Sequence, residues 1–176
     1  MSTTKWALDA SHSEVLFKVK HLMITNVTGK FGTYSADVET EEDDFTTAKI
    51  KFTINTASVN SNDDNRDGHL KGVDFFDVEK YPEMTFVSTN YKAKGGEDFE
   101  LTGDLTIKNV TKEITLSGEF GGIGKDPWGN TKAGFTLNGK IHREDFGLNW
   151  NAALEAGGVL VSKDVRISCD IQFAKQ

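Results

Sequence analysis

The densest group of chemically capable side chains is Arg66-Asp67-Gly68-His69-Leu70, followed by the aromatic pair Phe75-Phe76. A guanidinium, a carboxylate and an imidazole this close in sequence can orient a polar head group or move a proton. They equally suit a solvated helix start with a local ion pair. Asp63 and Asp64 just upstream put acids in the first turn of a short helix expected near residues 61–72. His12, His21 and His142 are scattered, with no H-x-H or H-E-x-x-H spacing, so no metal site is expected. The single cysteine, Cys169, excludes an intrachain disulfide and a cysteine-based zinc site. No G-x-S-x-G elbow, phosphate loop or dinucleotide fingerprint after a strand is present. No catalytic residue and no cofactor is therefore assigned.

The elements that must position these groups read as strands. Val15, Phe17 and Val19 alternate with Lys18 and Lys20, and Ile50, Phe52 and Ile54 alternate with Lys49, Lys51 and Thr53. The same period of two runs through Phe99–Ile107, Ile114–Phe120, Phe135–Ile141 and Val165–Phe173. Successive side chains of a strand point to opposite faces, so each segment has one apolar and one wet face. Strands are predicted near 5–9, 13–21, 29–39, 46–57, 84–92, 97–108, 111–124, 131–143 and 162–174. Short turns join most of them. Lys108-Asn109-Val110-Thr111 reads as a tight hairpin with Asn109 able to take the left-handed conformation, and residues 125–130 as a second hairpin tip. Residues 58–82 and 144–161, the latter with Gly157-Gly158, break the pattern as long loops of the kind that carry function.

No long amphipathic helix exists to cover these apolar faces, so the sheet must stack on itself or close into a barrel. A barrel of about eight strands either fills with side chains or holds one small ligand. Alternation places Gly103, Gly118 and Gly139 on the inner face, where they open space or permit bends. It places His21 beside Phe17 and Val19, and sets Cys169 inward as an apolar filler among Ile167 and Ile171. Arg143, at the end of a strand, is expected to bridge to a carboxylate across the barrel end.

The 176 residues are 37 % hydrophobic and carry 20 basic against 27 acidic side chains, a net charge of −7. That balance argues against a nucleic-acid backbone as main partner. No run approaches the roughly 20 apolar residues of a membrane-spanning helix. The opening residues lack the apolar region of a secretion signal, so one domain over 1–176 in the cytoplasm is expected, periplasmic if a leader has been removed.

Several stretches together resemble the YceI-like family of bacterial polyisoprenoid-binding, lipocalin-like proteins. They are His12–Met23, Val27–Phe31, Arg66–Leu70 with Asp74–Asp77, Tyr81–Phe86, Leu101–Ile107, Asp126–Asn130 and Arg143–Leu148, in order along nearly the whole chain. The resemblance implies an all-β, eight-stranded antiparallel lipocalin-like barrel with a hydrophobic central tunnel. It also implies an amphiphilic ligand such as a polyisoprenoid, an isoprenoid quinone or its precursor, or a fatty-acid-like molecule. The expected function is non-catalytic binding of that lipid for storage, transport or protection. Phe17, Val19, Phe52, Ile54, Phe75, Phe76, Phe86, Leu105 and Ile167 are expected to line the tunnel, with His21 on the same wall. Arg66, Asp67 and His69 are expected at its mouth, contacting or gating the head group. The competing readings are an enzyme acting on a bound lipid or quinone through Arg66, Asp67 and His69, and a stress-related protein-interaction module. A homodimer is plausible, since an outward strand face can pair.

Overall fold

The computed structural model describes residues 2–151 and 160–176, so Gly157-Gly158 lies outside the described residues. In chain order the elements are β1 (Thr3–Leu8), β2 (Glu14–His21), β3 (Thr25–Phe31), β4 (Tyr34–Glu41), β5 (Asp44–Asn55) and β6 (Val59–Asn60). Then come α1 (Asp64–Lys71), β7 (Glu83–Gly95), β8 (Asp98–Ile107), β9 (Val110–Lys125), β10 (Thr131–His142) and β11 (Asp164–Lys175). The strands pair in the order β1-β4-β5-β7-β8-β9-β10-β11, and β11 pairs back onto β1, which closes an antiparallel barrel of eight strands. β2, β3 and β6 continue the sheet from β11. Closure leaves the ring without an exposed edge. No helix among the described residues is long and apolar enough to cross a membrane.

Three neighbouring ribbons break at one level. β1 and β2 lie end to end along β11, separated by a single helical turn at residues 10–12. The segment expected as one strand over 29–39 is β3 and β4, interrupted at Gly32-Thr33. β5 continues into β6 through a turn at residues 56–58. The breaks are stitched together: Gly32 N–H donates to Ser58 O at 3.2 Å and Asn55 N–H to Thr33 O at 2.9 Å. Past this level β2 and β3 take over the wall positions of β1 and β4, β6 ends after two residues, and α1 with the loop after it completes the wall. The nine predicted segments thus occupy eight barrel positions, because the first two share one.

Asp9 secures the first break. Its carboxylate accepts from Lys132 Nζ at 2.7 Å and from Ser11 Oγ at 2.7 Å, with His12 Nδ1 at 2.9 Å. The bond from Lys132, then those from Ser11 and His12, hold its pKa far below the usual carboxylate range. Two further local expectations are corrected. In the β8–β9 turn the left-handed residue is Lys108, at φ 57°, not Asn109. The inward glycines do not open space. A Cβ at Gly118 would collide with the Phe99 ring, one at Gly103 with the Phe86 ring, and one at Gly139 with Leu116. Gly29, on β3, is likewise covered by the Phe17 ring. In each case a large side chain on the adjacent strand occupies the room the missing Cβ leaves.

The end of the barrel away from α1 is plugged by aromatics. Phe135 meets Phe45, Phe120 and Phe173 at centroid distances of 4.9, 5.0 and 5.8 Å, and Trp6 packs on Phe45 at 4.8 Å. Trp6 satisfies its indole N–H on Thr40 Oγ1 at 3.0 Å.

Two measurements check this account. Because the folded pKa of Asp9 is depressed, its contribution to stability is present above the unfolded value near ~3.9 and lost as pH falls through and below it. Asp9→Asn is expected to flatten the acid limb of the stability–pH profile, read by urea unfolding. Gly103→Ala is expected to cost about 1–3 kcal/mol, and Gly29→Ala less. At Gly103 the new methyl also meets the Val87 carbonyl at 2.6 Å, which is backbone, whereas the Phe17 ring at Gly29 can swing away.

Candidate functional site

The barrel interior is hollow above its aromatic plug. A narrow inner chamber of about 120 Å³ has Phe45, Phe99, Phe135 and Phe173 among its lining residues, with walls that include Phe52, Phe86 and Cys169. A wider outer chamber of about 520 Å³ lies towards α1. Its volume falls in the ~300–1,000 Å³ range of small-molecule sites. Val15, Ile54, Leu105 and Ile167 line both chambers and so form the waist between them. Burial pushes the Cys169 thiol up to about 12, so it is protonated at neutral pH and serves as an apolar wall residue, as alternation implied.

Every residue expected to line the tunnel is on these walls. Phe52 and Phe86 face the inner chamber; Phe17, Val19, Phe75 and Phe76 face the outer one; Ile54, Leu105 and Ile167 form part of the waist. His21, Arg66 and His69 also line the outer chamber. Phe17, Phe31 and Phe76 make a continuous aromatic wall, with centroids 5.5 and 5.7 Å apart.

The polar rim comes mainly from α1. Asp63 caps the helix by accepting from Arg66 N–H at 3.0 Å, an N-cap role that Asp performs well. Arg66 donates through Nε to Ser61 Oγ at 2.8 Å and through Nη2 to Ser61 O at 2.7 Å. Asp67 is buried and accepts from Ser61 N–H at 2.8 Å and Ser61 Oγ at 2.6 Å. It therefore fixes the loop before the helix and is absent from the chamber wall, contrary to its expected place at the mouth. Nor do Arg66, Asp67 and His69 share one focus. The partner of His69 is Asp74, at 2.9 Å, and its ring packs edge-on against Phe75 and Trp150 at 5.0 and 4.6 Å. The α1 rim thus offers a half-exposed imidazole–carboxylate pair and a pinned guanidinium.

Arg143 corrects a second expectation. It is 2 % exposed and forms its hydrogen bonds with backbone carbonyls rather than a carboxylate. Nε donates to Ser162 O at 2.8 Å, Nη1 to Leu148 O at 2.6 Å and Trp150 O at 2.9 Å, and Nη2 to Val161 O at 3.3 Å. Burial lowers its pKa from the usual value, and nearby Glu144 opposes that shift. Gly147, left-handed at φ 76°, ends the turn at Arg143–Phe146, and Leu148 N–H returns to Arg143 O at 3.1 Å. One guanidinium thus gathers both described ends of the loop between β10 and β11 and sets Leu148, Trp150, Leu160 and Val161 on the chamber wall. Its fork of donors was the available signal in the sequence; its acceptors were not.

An antiparallel barrel, hollow, plugged at one end and rimmed by polar groups at the other, defines a lipocalin-like binding fold. The chain belongs to the YceI-like domain family, whose sequence profile matches residues 6–173. It is 39 % identical over 172 residues to UPF0312 proteins of Staphylococcus aureus strains MSSA476 and MW2, covering 97 % of this chain and 98 % of theirs. Among solved structures, the Campylobacter jejuni YCEI protein is 38 % identical with a TM-score of 0.77, covering 89 % of this chain and 90 % of that one. Burkholderia cenocepacia BcnA is 25 % identical with a TM-score of 0.81, over 94 % of this chain and 98 % of that one. A domain from Saccharophagus degradans described as polyisoprenoid-binding shares the fold at 18 % identity, TM-score 0.75, over 97 % and 98 % of the two chains.

Replacing Arg143 by Leu leaves buried carbonyls without donors and is expected to cost about 1–3 kcal/mol in urea unfolding. Arg143→Lys, with fewer and less spread donors, is expected to recover only part of that.

Proposed function

We propose that this protein binds one long-chain amphiphilic lipid of the polyisoprenoid class without transforming it. The hydrocarbon chain runs from the outer chamber through the waist into the inner one, and the polar head stays at the Arg66–His69 rim. The observation that carries this reading is the pair of adjoining apolar chambers, sharing four wall residues and floored by aromatics. Each buried methylene contributes about 0.8 kcal/mol, reduced by the entropy of ordering the chain. Chain length then sets affinity, and the few polar groups at the entrance choose the head. That the S. degradans domain of the same fold is described as polyisoprenoid-binding supports the ligand class.

One observation favours a second reading. The His69–Asp74 pair at 2.9 Å is a geometry able to move a proton at the head group. Against it, Arg66 and Asp67 are committed to Ser61.

Native mass spectrometry of freshly purified protein, followed by organic extraction, is expected to show one unaltered lipid per chain; a converted product would favour the enzymatic reading. Phe52→Arg is expected to lower affinity for a fluorescent polyene by at least about tenfold, ~1.4 kcal/mol, with the barrel's circular dichroism retained. Ile167→Trp, which narrows the waist, is expected to spare short chains and exclude long ones. Unchanged affinity in both variants would refute the chamber assignment.

A further inference from the structure

The hairpin joining β2 to β3 ends in Leu22-Met23-Ile24, and these side chains face solvent: Ile24 is 77 % and Met23 47 % exposed. Leu22 and Met23 both take the left-handed backbone region, at φ 55° and 62°. Asn and Gly are the usual occupants of such a turn. Neither the backbone nor burial among the described residues accounts for three apolar residues here. Val73, exposed just after α1, adds an apolar side chain at the same end of the barrel. The tip is joined to the chamber wall. Leu22 N–H donates to Leu160 O at 2.8 Å and Ser162 N–H to Lys20 O at 3.0 Å, while Leu160 and Val161 line the outer chamber.

The charge behind the tip selects the partner. Residues 15–31 contain Lys18, Lys20 and Lys30 and no acid, in a chain whose net charge is −7. Arg166 on β11 stands opposite Lys18 in the ladder. All four are exposed, and among the described residues none is in an ion pair. Like charges facing each other across strands repel unless a counter-charge arrives. Across the entrance, α1 opens with Asp63 and Asp64, so the cationic face lies on the hairpin side. Fields decay over about 8 Å at physiological salt, so a touching surface senses this face rather than the net charge.

We propose that the Leu22-Met23-Ile24 tip, backed by Lys18, Lys20, Lys30 and Arg166, docks the entrance of the outer chamber onto an anionic lipid bilayer. The apolar side chains enter the acyl boundary and the cations meet lipid phosphates. A ligand then passes between membrane and chamber without crossing bulk water. This inference rests on the lipid-binding reading and deepens it.

The test is flotation with vesicles of phosphatidylcholine alone and of phosphatidylcholine with phosphatidylglycerol in equal parts. Wild-type protein is expected to float with the anionic vesicles, less so at high salt, and not with the neutral ones. Leu22→Asn with Met23→Asn suits the left-handed turn and is expected to keep the fold while lowering partitioning by about tenfold or more. Lys18→Glu with Arg166→Glu, remote from the chamber wall, is expected to do the same. Wild-type protein that ignores both vesicles, or an asparagine variant that floats as well as wild type, overturns the proposal. So does a wild-type dimer, seen by sedimentation, that the asparagine variant dissociates, since the tip then serves a second copy. A fluorescent polyene added in solution separates the two claims: bound by a protein that does not float, it sinks docking alone; unbound, it sinks the chamber reading.

Discussion

Each barrel strand carries one apolar face, and α1, of eight residues, is too short and too polar to cover any of them. That imbalance governs the molecule. A sheet with an uncovered greasy face has to cover itself, and curling until β11 meets β1 does so while removing the exposed edges. The barrel's circumference then follows from strand number and stagger, not from the volume of the side chains inside. Where the inward residues are large aromatics, as around Phe45 and Phe135, they meet across the axis and seal it. Where they are Val15, Ile54, Leu105 and Ile167, they fall short, and space is left.

The same closure explains why only one end opens. Past the level where the three ribbons break, β2 and β3 continue the wall from β11 but β6 ends after two residues, and the gap beyond it has to be filled by chain that is not strand. That chain is α1 and its following loop on one side and the described ends of the loop gathered by Arg143 on the other. Irregular backbone needs its own hydrogen-bond partners, so polar side chains congregate there: Asp63 on the Arg66 N–H, Arg66 and Asp67 around Ser61, and Arg143 among four carbonyls. A polar rim around an apolar hollow is thus a by-product of how the barrel is closed. An amphiphile matches that division because chain burial is non-directional while head-group recognition is not.

The exposed hairpin tip belongs to this open end as well. Among the described residues its side chains are exposed rather than part of the core, and its backbone is bonded to the segment that Arg143 holds. Contact at the tip is therefore continuous, through Leu160 and Val161, with the wall of the outer chamber.

The alternation of residues told by itself which side chains face inward, because a strand has a period of two whatever it pairs with. Hence Phe17, Phe52, Phe86, Leu105 and Ile167 all stand on the cavity wall, and the helix near 61–72 forms behind its acidic cap. What alternation cannot carry is the identity of partners brought in by folding. Asp67 turned to Ser61, Arg143 to carbonyls as far off as Ser162, and the inward glycines to rings on neighbouring strands. Whether the barrel is hollow is likewise a property of the closed ring, since a void is the difference between an enclosed volume and the atoms projected into it. That difference exists only after register and stagger are set across residues more than a hundred positions apart, as between Trp6 and Lys175.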